Sequence, residues 1–160
     1  LNLIDTIMQL TDFLTTDRIA CNVNAHSKKR ALEELSELIS HDQDSISATD
    51  IFDCLLSRER LGGTGIGFGV AIPHGRLRDS SHPTAALIQL NHGIDFDAID
   101  NQPVDLLFAL VVPDNATEEH LKILTLLAAM FKEEKTRAHL REAKSPEAVM
   151  QLIRDWQNSN

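Results

Sequence analysis

Leu61-Gly62-Gly63-Thr64-Gly65-Ile66-Gly67-Phe68-Gly69-Val70-Ala71-Ile72-Pro73-His74-Gly75-Arg76 is the stretch whose reading decides the fold. Glycine recurs at 63, 65, 67 and 69, and alternate residues of an extended chain share one face. That face would carry no side chains, leaving the backbone open to another segment or a ligand. Thr64, Ile66, Phe68, Val70 and Ile72 are expected to pack on the opposite face. Pro73 fixes its own φ and drives Ile72 towards an extended conformation, which predicts a stiff exit into His74, and Gly75 removes bulk just beyond it. An imidazole of ordinary pKa, about 6.5, keeps a neutral nucleophilic nitrogen near neutral pH. His74 is therefore the candidate acceptor of a transferred group.

Two phosphate-binding loops are excluded. G-x-x-x-x-G-K-[ST] fails because Gly67 is followed by Phe68 rather than lysine. G-x-G-x-x-G fails at each of its three possible starts, where the last position is Phe68, Val70 or Ile72.

The chain has 160 residues, 42% of them hydrophobic, a size at which one domain buries about 70% of its unfolded surface. The longest apolar run, Leu106 to Val112, is too short to span a bilayer, and the N-terminus lacks the basic region of a secretory signal. A cytoplasmic protein without membrane insertion is expected. With Leu rather than Met at position 1, a trimmed or partial chain is also expected. Cys21 and Cys54 have no metal-ligand spacing and are expected to be reduced, buried thiols. A net charge of −9 disfavours nucleic acid, which needs cations against its phosphates, and favours a basic protein partner. It also means that a phosphoryl group arriving at His74 needs local cations to offset the overall field.

Residues 1–13 read as an arm or a short helix, and 14–160 as a single domain. Ile19 to Val23 is predicted to be a strand. Ser27 then caps a helix with the stripe Ala31, Leu32, Leu35, Leu38, Ile39, and its first-turn cations Lys28, Lys29 and Arg30 read as a solvated surface. Ser47-Ala48-Thr49-Asp50 fits a capping box for a second helix with the stripe Ala48, Ile51, Phe52, Leu55. Gly62 stops that helix, which leaves Arg58 and Arg60 in its last turn. There they either complement the helix dipole or bind an anion.

Ala85 to Leu90 and Val104 to Val112 read as strands, the second apolar enough to be central and covered on both faces. Asp95, Asp97 and Asp100 lack calcium-loop spacing and read as an acidic rim. Thr117 or Asn115 is expected to cap a third, largely buried helix carrying Leu121, Leu124, Leu127, Ala128 and Phe131. His120 falls in its first turn, where the positive end of the dipole favours anions and lowers an imidazole pKa. Helices at about 135–143 and from Pro146 to Trp156, the latter capped by Ser145, complete the chain. The order is strand, two helices, three strands, three helices, which implies a sheet with helices on both faces.

Gly63-Thr64-Gly65-Ile66-Gly67-x-Gly69-Val70-Ala71-Ile72-Pro73-His74-Gly75-Arg76, with Arg58-Glu59 before it and residues 96–108 after it, resembles the nitrogen-regulatory enzyme IIA of the bacterial phosphotransferase system. That group stands with the fructose- and mannitol-type IIA domains. The resemblance runs from about Leu14 to the C-terminus and implies a three-layer α/β/α domain with a mixed sheet. It further implies that His74 is the phosphorylated histidine, reacting through Nε2. By the same resemblance Arg58 is the arginine beside the phosphoryl group, and His120 is a second active-site histidine. Thr64, Gly65 and Gly75 are expected as further neighbours. Phe68 stands where relatives usually carry a polar residue.

The implied reaction passes a phosphoryl group from a histidine phosphocarrier protein to His74 without cofactor, nucleotide or metal, and regulates target proteins by phosphorylation state. Because no transport domain is attached, an end-point acceptor is expected. The rivals are a sugar-transport IIA component, a binding module acting mainly unphosphorylated, and a metal-dependent hydrolase built on His74, His82, His92 and His120, for which no ligand motif is present. His26, His41, His82, His92 and His139 are expected on loops or helix surfaces, and Arg76 as a surface cation near the site.

Overall fold

The computed structural model describes residues 8–160. Most of the predicted arm, residues 1–7, lies outside them; its end forms a single 3₁₀ turn, Leu10–Asp12, whose Leu10 enters the core together with Phe13 and Leu14. The elements are β1 (Ile19–Val23), α1 (Lys28–Ser40), α2 (Ala48–Leu61), β2 (Gly65–Gly67), β3 (Val70–Ala71), β4 (His74–Leu77), β5 (Thr84–Ile94), β6 (Val104–Pro113), α3 (Thr117–Lys132), α4 (Glu134–Glu142) and α5 (Pro146–Asn158).

The sheet is mixed, in the order β1-β5-β6-β3-β2, with β4 continuing the line of β3 along β6. β1 runs parallel to β5, and both β3 and β4 run parallel to β6; β5–β6 and β2–β3 are antiparallel. The apolar run of β6 serves two cores by strand alternation. Leu106, Phe108, Leu110 and Val112 join Ile123, Leu127, Leu140 and Ile153 of α3, α4 and α5 on one face. Leu107, Ala109 and Val111 join Leu35, Ile39, Ile51 and Leu55 of α1 and α2 on the other. A strand covered on both faces needs apolar residues at every position, which is what makes the three-layer α/β/α fold readable in that run.

Helix starts follow local chemistry. The hydroxyls of Ser27, Ser47 and Ser145 accept from the amides of Arg30, Asp50 and Ala148, as the cap positions predict. α4 follows its N-cap Glu133 without a side-chain cap bond, and α3 departs from the expected caps. Neither Asn115 nor Thr117 caps it; Ala116 holds the N-cap position without a side-chain bond. Nor is it largely buried, since Leu121 is 61% exposed and Ala128 is exposed, while Ile123, Leu127, Met130 and Phe131 face the sheet. The helix packs through one stripe.

The glycine run is not one extended strand. Phe68 and Gly69 have φ of 60° and 77°, the paired left-handed conformation that reverses a tight hairpin, and they fold β2 back on β3. Strand alternation therefore breaks there, and Ile66 and Phe68 point outwards, Phe68 being 59% exposed. The glycine face is filled by the chain itself: a Cβ on Gly65 would lie 2.9 Å from Cα and Cβ of Ala98. Phe68 is nonetheless held tightly. Its amide donates to Asp100, its carbonyl accepts from Arg141, and its ring lies under the Arg137 guanidinium.

Two further expectations change. Lys28 is not a solvated cation; it bridges Glu59 and Asp97 and lies over the Phe96 ring. Cys21 and Cys54 are free but half-buried rather than buried. No described helix is long and apolar enough to cross a membrane.

Close packing at Gly65 makes a specific demand. Gly65→Ala is expected to destabilise the fold by about 1–3 kcal/mol because the new methyl meets rigid backbone. Gly62→Ala, with nothing within 4 Å of its Cβ, should fall within about 0.5 kcal/mol of the parent. Urea unfolding of both variants checks the contrast, and equal midpoints would contradict it.

Candidate functional site

An open cleft of about 870 Å³ lies between the exposed flank of α2, the start of β4 and the first turn of α3. Its lining brings together Arg58, His74, Gly75, Arg76, Thr117 and His120.

His74 opens β4, opposite Leu110 on β6. Proline at 73 has no amide to place, and its carbonyl accepts from Leu110 N–H at 2.9 Å, which fixes the backbone directly before the ring. The ring then turns back on its own chain, with Nδ1 2.7 Å from the Ile72 carbonyl. A carbonyl can only accept, so Nδ1 carries the proton and Nε2 keeps the lone pair. His120 meets this ring edge-on, with centroids 5.2 Å apart and planes at 71°. Its Nε2 is buried and has no hydrogen-bond partner among the described residues. Such an atom calls for a ligand oxygen or water.

Arg58 occupies the last turn of α2, and Nη1 donates to the Gly62 carbonyl at 2.7 Å. That bond sets the direction of the guanidinium while leaving its other donors available. Arg76 reaches from β4 to Thr117 Oγ1 at 3.3 Å and closes the cleft between sheet and helix. Burial, and after it the cations, favours the neutral rings. Burial lowers the His74 pKa and the Arg58 charge lowers it further, against the Ile72 hydrogen bond and Glu59, which raise it. Burial, with His74, Arg76 and Arg58 nearby, lowers His120 to about 4.

The other expected neighbours separate. Gly75 lines the cleft, with Cys54 packed where a Cβ would project. Thr64 and Gly65 do not line it: Thr64 is buried and bonded to Glu59, and Gly65 lies against Ala98. His82 and His92 are exposed and do not line the cleft, and no three His, Cys, Asp or Glu side chains among the described residues could hold a metal ion. Cys54, expected only as a buried thiol, and Ser57 also belong to the cleft wall. Helical spacing, four residues before Arg58 and four before Leu61, was the available signal. Thr117 enters through its contact with Arg76, for which the sequence holds no signal.

The family model described as phosphoenolpyruvate-dependent sugar phosphotransferase system, EIIA 2, matches residues 12–156. The chain belongs to this EIIA family. It is 45% identical over 152 residues to a nitrogen regulatory protein of Pseudomonas aeruginosa, covering 95% of this chain and 99% of that one. The corresponding protein of Escherichia coli is 44% identical over 156 residues, covering 97% and 95%. Among solved structures, the nitrogen regulatory protein IIA-Ntr of Neisseria meningitidis superposes with a TM-score of 0.84 at 41% identity, covering 89% of this chain and 97% of that one. On this EIIA fold the chain thus presents a histidine pair and two arginines in one cleft.

Both EIIA cleft histidines should titrate below about 6.5, with His120 near 4. Between the folded values and about 6.5 the unfolded chain binds more protons. The stability contributed by the neutral rings is therefore complete above about 6.5 and is lost as pH falls through the folded values. Ring-proton NMR titration checks this, and a His120 midpoint above about 6.5 would contradict it.

Proposed function

We propose that this chain is a phosphoryl-accepting regulator, charged by a histidine phosphocarrier protein and read by other proteins through its phosphorylation state. The observation that carries the reading is the Nδ1–H···O=C bond from His74 to Ile72, which leaves Nε2 as the nucleophile in a cleft furnished with Arg58 and an unpartnered His120 nitrogen.

His74 Nε2 attacks phosphorus opposite the donor imidazole. The new N–P bond forms as the old one breaks, and the donor ring leaves with the electron pair. Charge in this transition state spreads over three equatorial oxygens, so positioned donors and cations supply most of the catalysis. Arg58 offers a guanidinium already fixed at Gly62. Neutral His120 offers its buried Nε2 in the tautomer that places the proton there, and donates to a phosphoryl oxygen.

The product carries a charge of about −1.5 to −2 in a cleft whose rim already holds Asp50, Asp53, Asp79 and Asp114. Phosphorylation thus makes the local docking field more negative, which is the means of regulation. The relatives named as nitrogen regulatory proteins favour this role over sugar transport. Binding by the unphosphorylated form is compatible with it, as the second state of the same switch. Cytoplasmic placement follows from the donor it requires.

Incubation with a phosphorylated histidine carrier should give an acid-labile, alkali-stable adduct. His74→Ala should abolish it. Arg58→Ala should slow its formation by roughly 10² to 10³, the effect of losing one transition-state donor, and His120→Ala should slow it as well. A normal adduct in the His74 variant would contradict the reading.

A further inference from the structure

Glu59 has a side chain only 2% exposed, an unusual position for a carboxylate in the last turn of a helix. It does not line the cleft, yet three donors converge on it. Lys28 Nζ from the first turn of α1 lies 3.0 Å from Oε2, Thr64 N–H donates to the same oxygen at 2.9 Å, and the Thr64 hydroxyl donates to Oε1. A buried carboxylate with this many donors is held immobile.

From Thr64 the bonding continues towards the nucleophile. The Thr64 carbonyl accepts from Ile72 N–H at 3.0 Å, and the Ile72 carbonyl accepts from His74 Nδ1 at 2.7 Å. Each bond fixes the place of the residue that carries the following carbonyl. A second arm runs backwards. Arg58, the neighbour of Glu59 in α2, donates to Gly62 O, and the 62–64 turn that carries this carbonyl is pinned at Thr64 by Glu59.

We propose that Glu59 is the positioning residue of the phosphoryl site: through Thr64 and Ile72 it sets the ring orientation and tautomer of His74, and through the 62–64 turn it sets the Arg58 guanidinium. This rests on the proposed function above for its role in transfer, but not for its effect on the ring. Lys28 completes the arrangement by cancelling a negative charge that would otherwise oppose the incoming phosphoryl group, and Asp97 at 3.2 Å holds Lys28 from its other side.

Glu59→Gln keeps the size and one acceptor but loses the charge that Lys28 and the Thr64 hydroxyl share. Glu59→Asp keeps the charge, and Thr64→Val removes only the hydroxyl bond while leaving the Thr64 backbone. The ¹⁵N shifts of the His74 ring, read in unphosphorylated protein, report the tautomer; the rate of labelling by a phosphorylated histidine carrier reports transfer. In the parent, His74 should be the Nδ1–H tautomer. Glu59→Gln should shift it towards a mixture and slow labelling by between about 10- and 100-fold, the scale set by small misplacements of a reacting group. Glu59→Asp should recover part of both losses, and Thr64→Val should move both in the same direction by less.

Parental ring shifts in folded Glu59→Gln, or in Thr64→Val should the first variant not fold, would overturn the inference whatever the labelling rate. Altered ring shifts with parental labelling would overturn it as well. Failure of the parent itself to be labelled counts instead against the proposed function, and the ring shifts still decide the orientation claim.

Discussion

A histidine can offer Nε2 as a nucleophile only while its proton resides on Nδ1, and here the Ile72 carbonyl, 2.7 Å away, holds that proton. The bond spans two residues of the same chain, so it survives only if the segment between them cannot move. Pro73 supplies a fixed φ, its carbonyl is tied to β6 through Leu110, and Ile72 N–H is tied to Thr64. The β4 register then carries the constraint outwards along Val111 and Val112. The nucleophile is thus held by the central strand of the sheet rather than by a loop, and sites on rigid elements keep their geometry best.

Electrostatics at this site oppose those of the molecule. The chain carries −9, but the groups acting on the histidine pair include Arg58 and Arg76. Burial first, and these cations after it, favour neutral imidazoles. A protonated His74 would be no nucleophile, so the same charges that favour an arriving phosphoryl group also keep its acceptor reactive. Glu59 is the counterweight, and its pairing with Lys28 limits the cost of placing a carboxylate near the site.

Much of this was legible in the sequence because it depends on local chemistry. Pro73-His74 fixes a direction, the serine caps fix three helix starts, and the unbroken apolar run of β6 requires cover on both faces. The hairpin at Phe68 and Gly69 was not legible, since glycines at alternate positions look the same in a strand and in a turn that uses positive φ. Leu121 looked like core because helical period says which residues share a face, not whether anything covers it. Thr64 and Gly65 were expected beside the phosphoryl group; they lie outside the cleft because the glycine run folds back against the 96–100 loop. Glu59 gave no signal of burial, since a carboxylate at the end of a helix ordinarily faces solvent. Only Lys28, 31 positions earlier, and Thr64 explain its position.

The central claim is that one nitrogen of one ring accepts phosphorus. Tandem mass spectrometry of the labelled parent chain, with ³¹P NMR to assign the ring position, tests it most directly. The account predicts a single phosphohistidine at His74, linked through Nε2. Phosphorus on another residue, or on Nδ1 of His74 with the Ile72 bond broken, would contradict it.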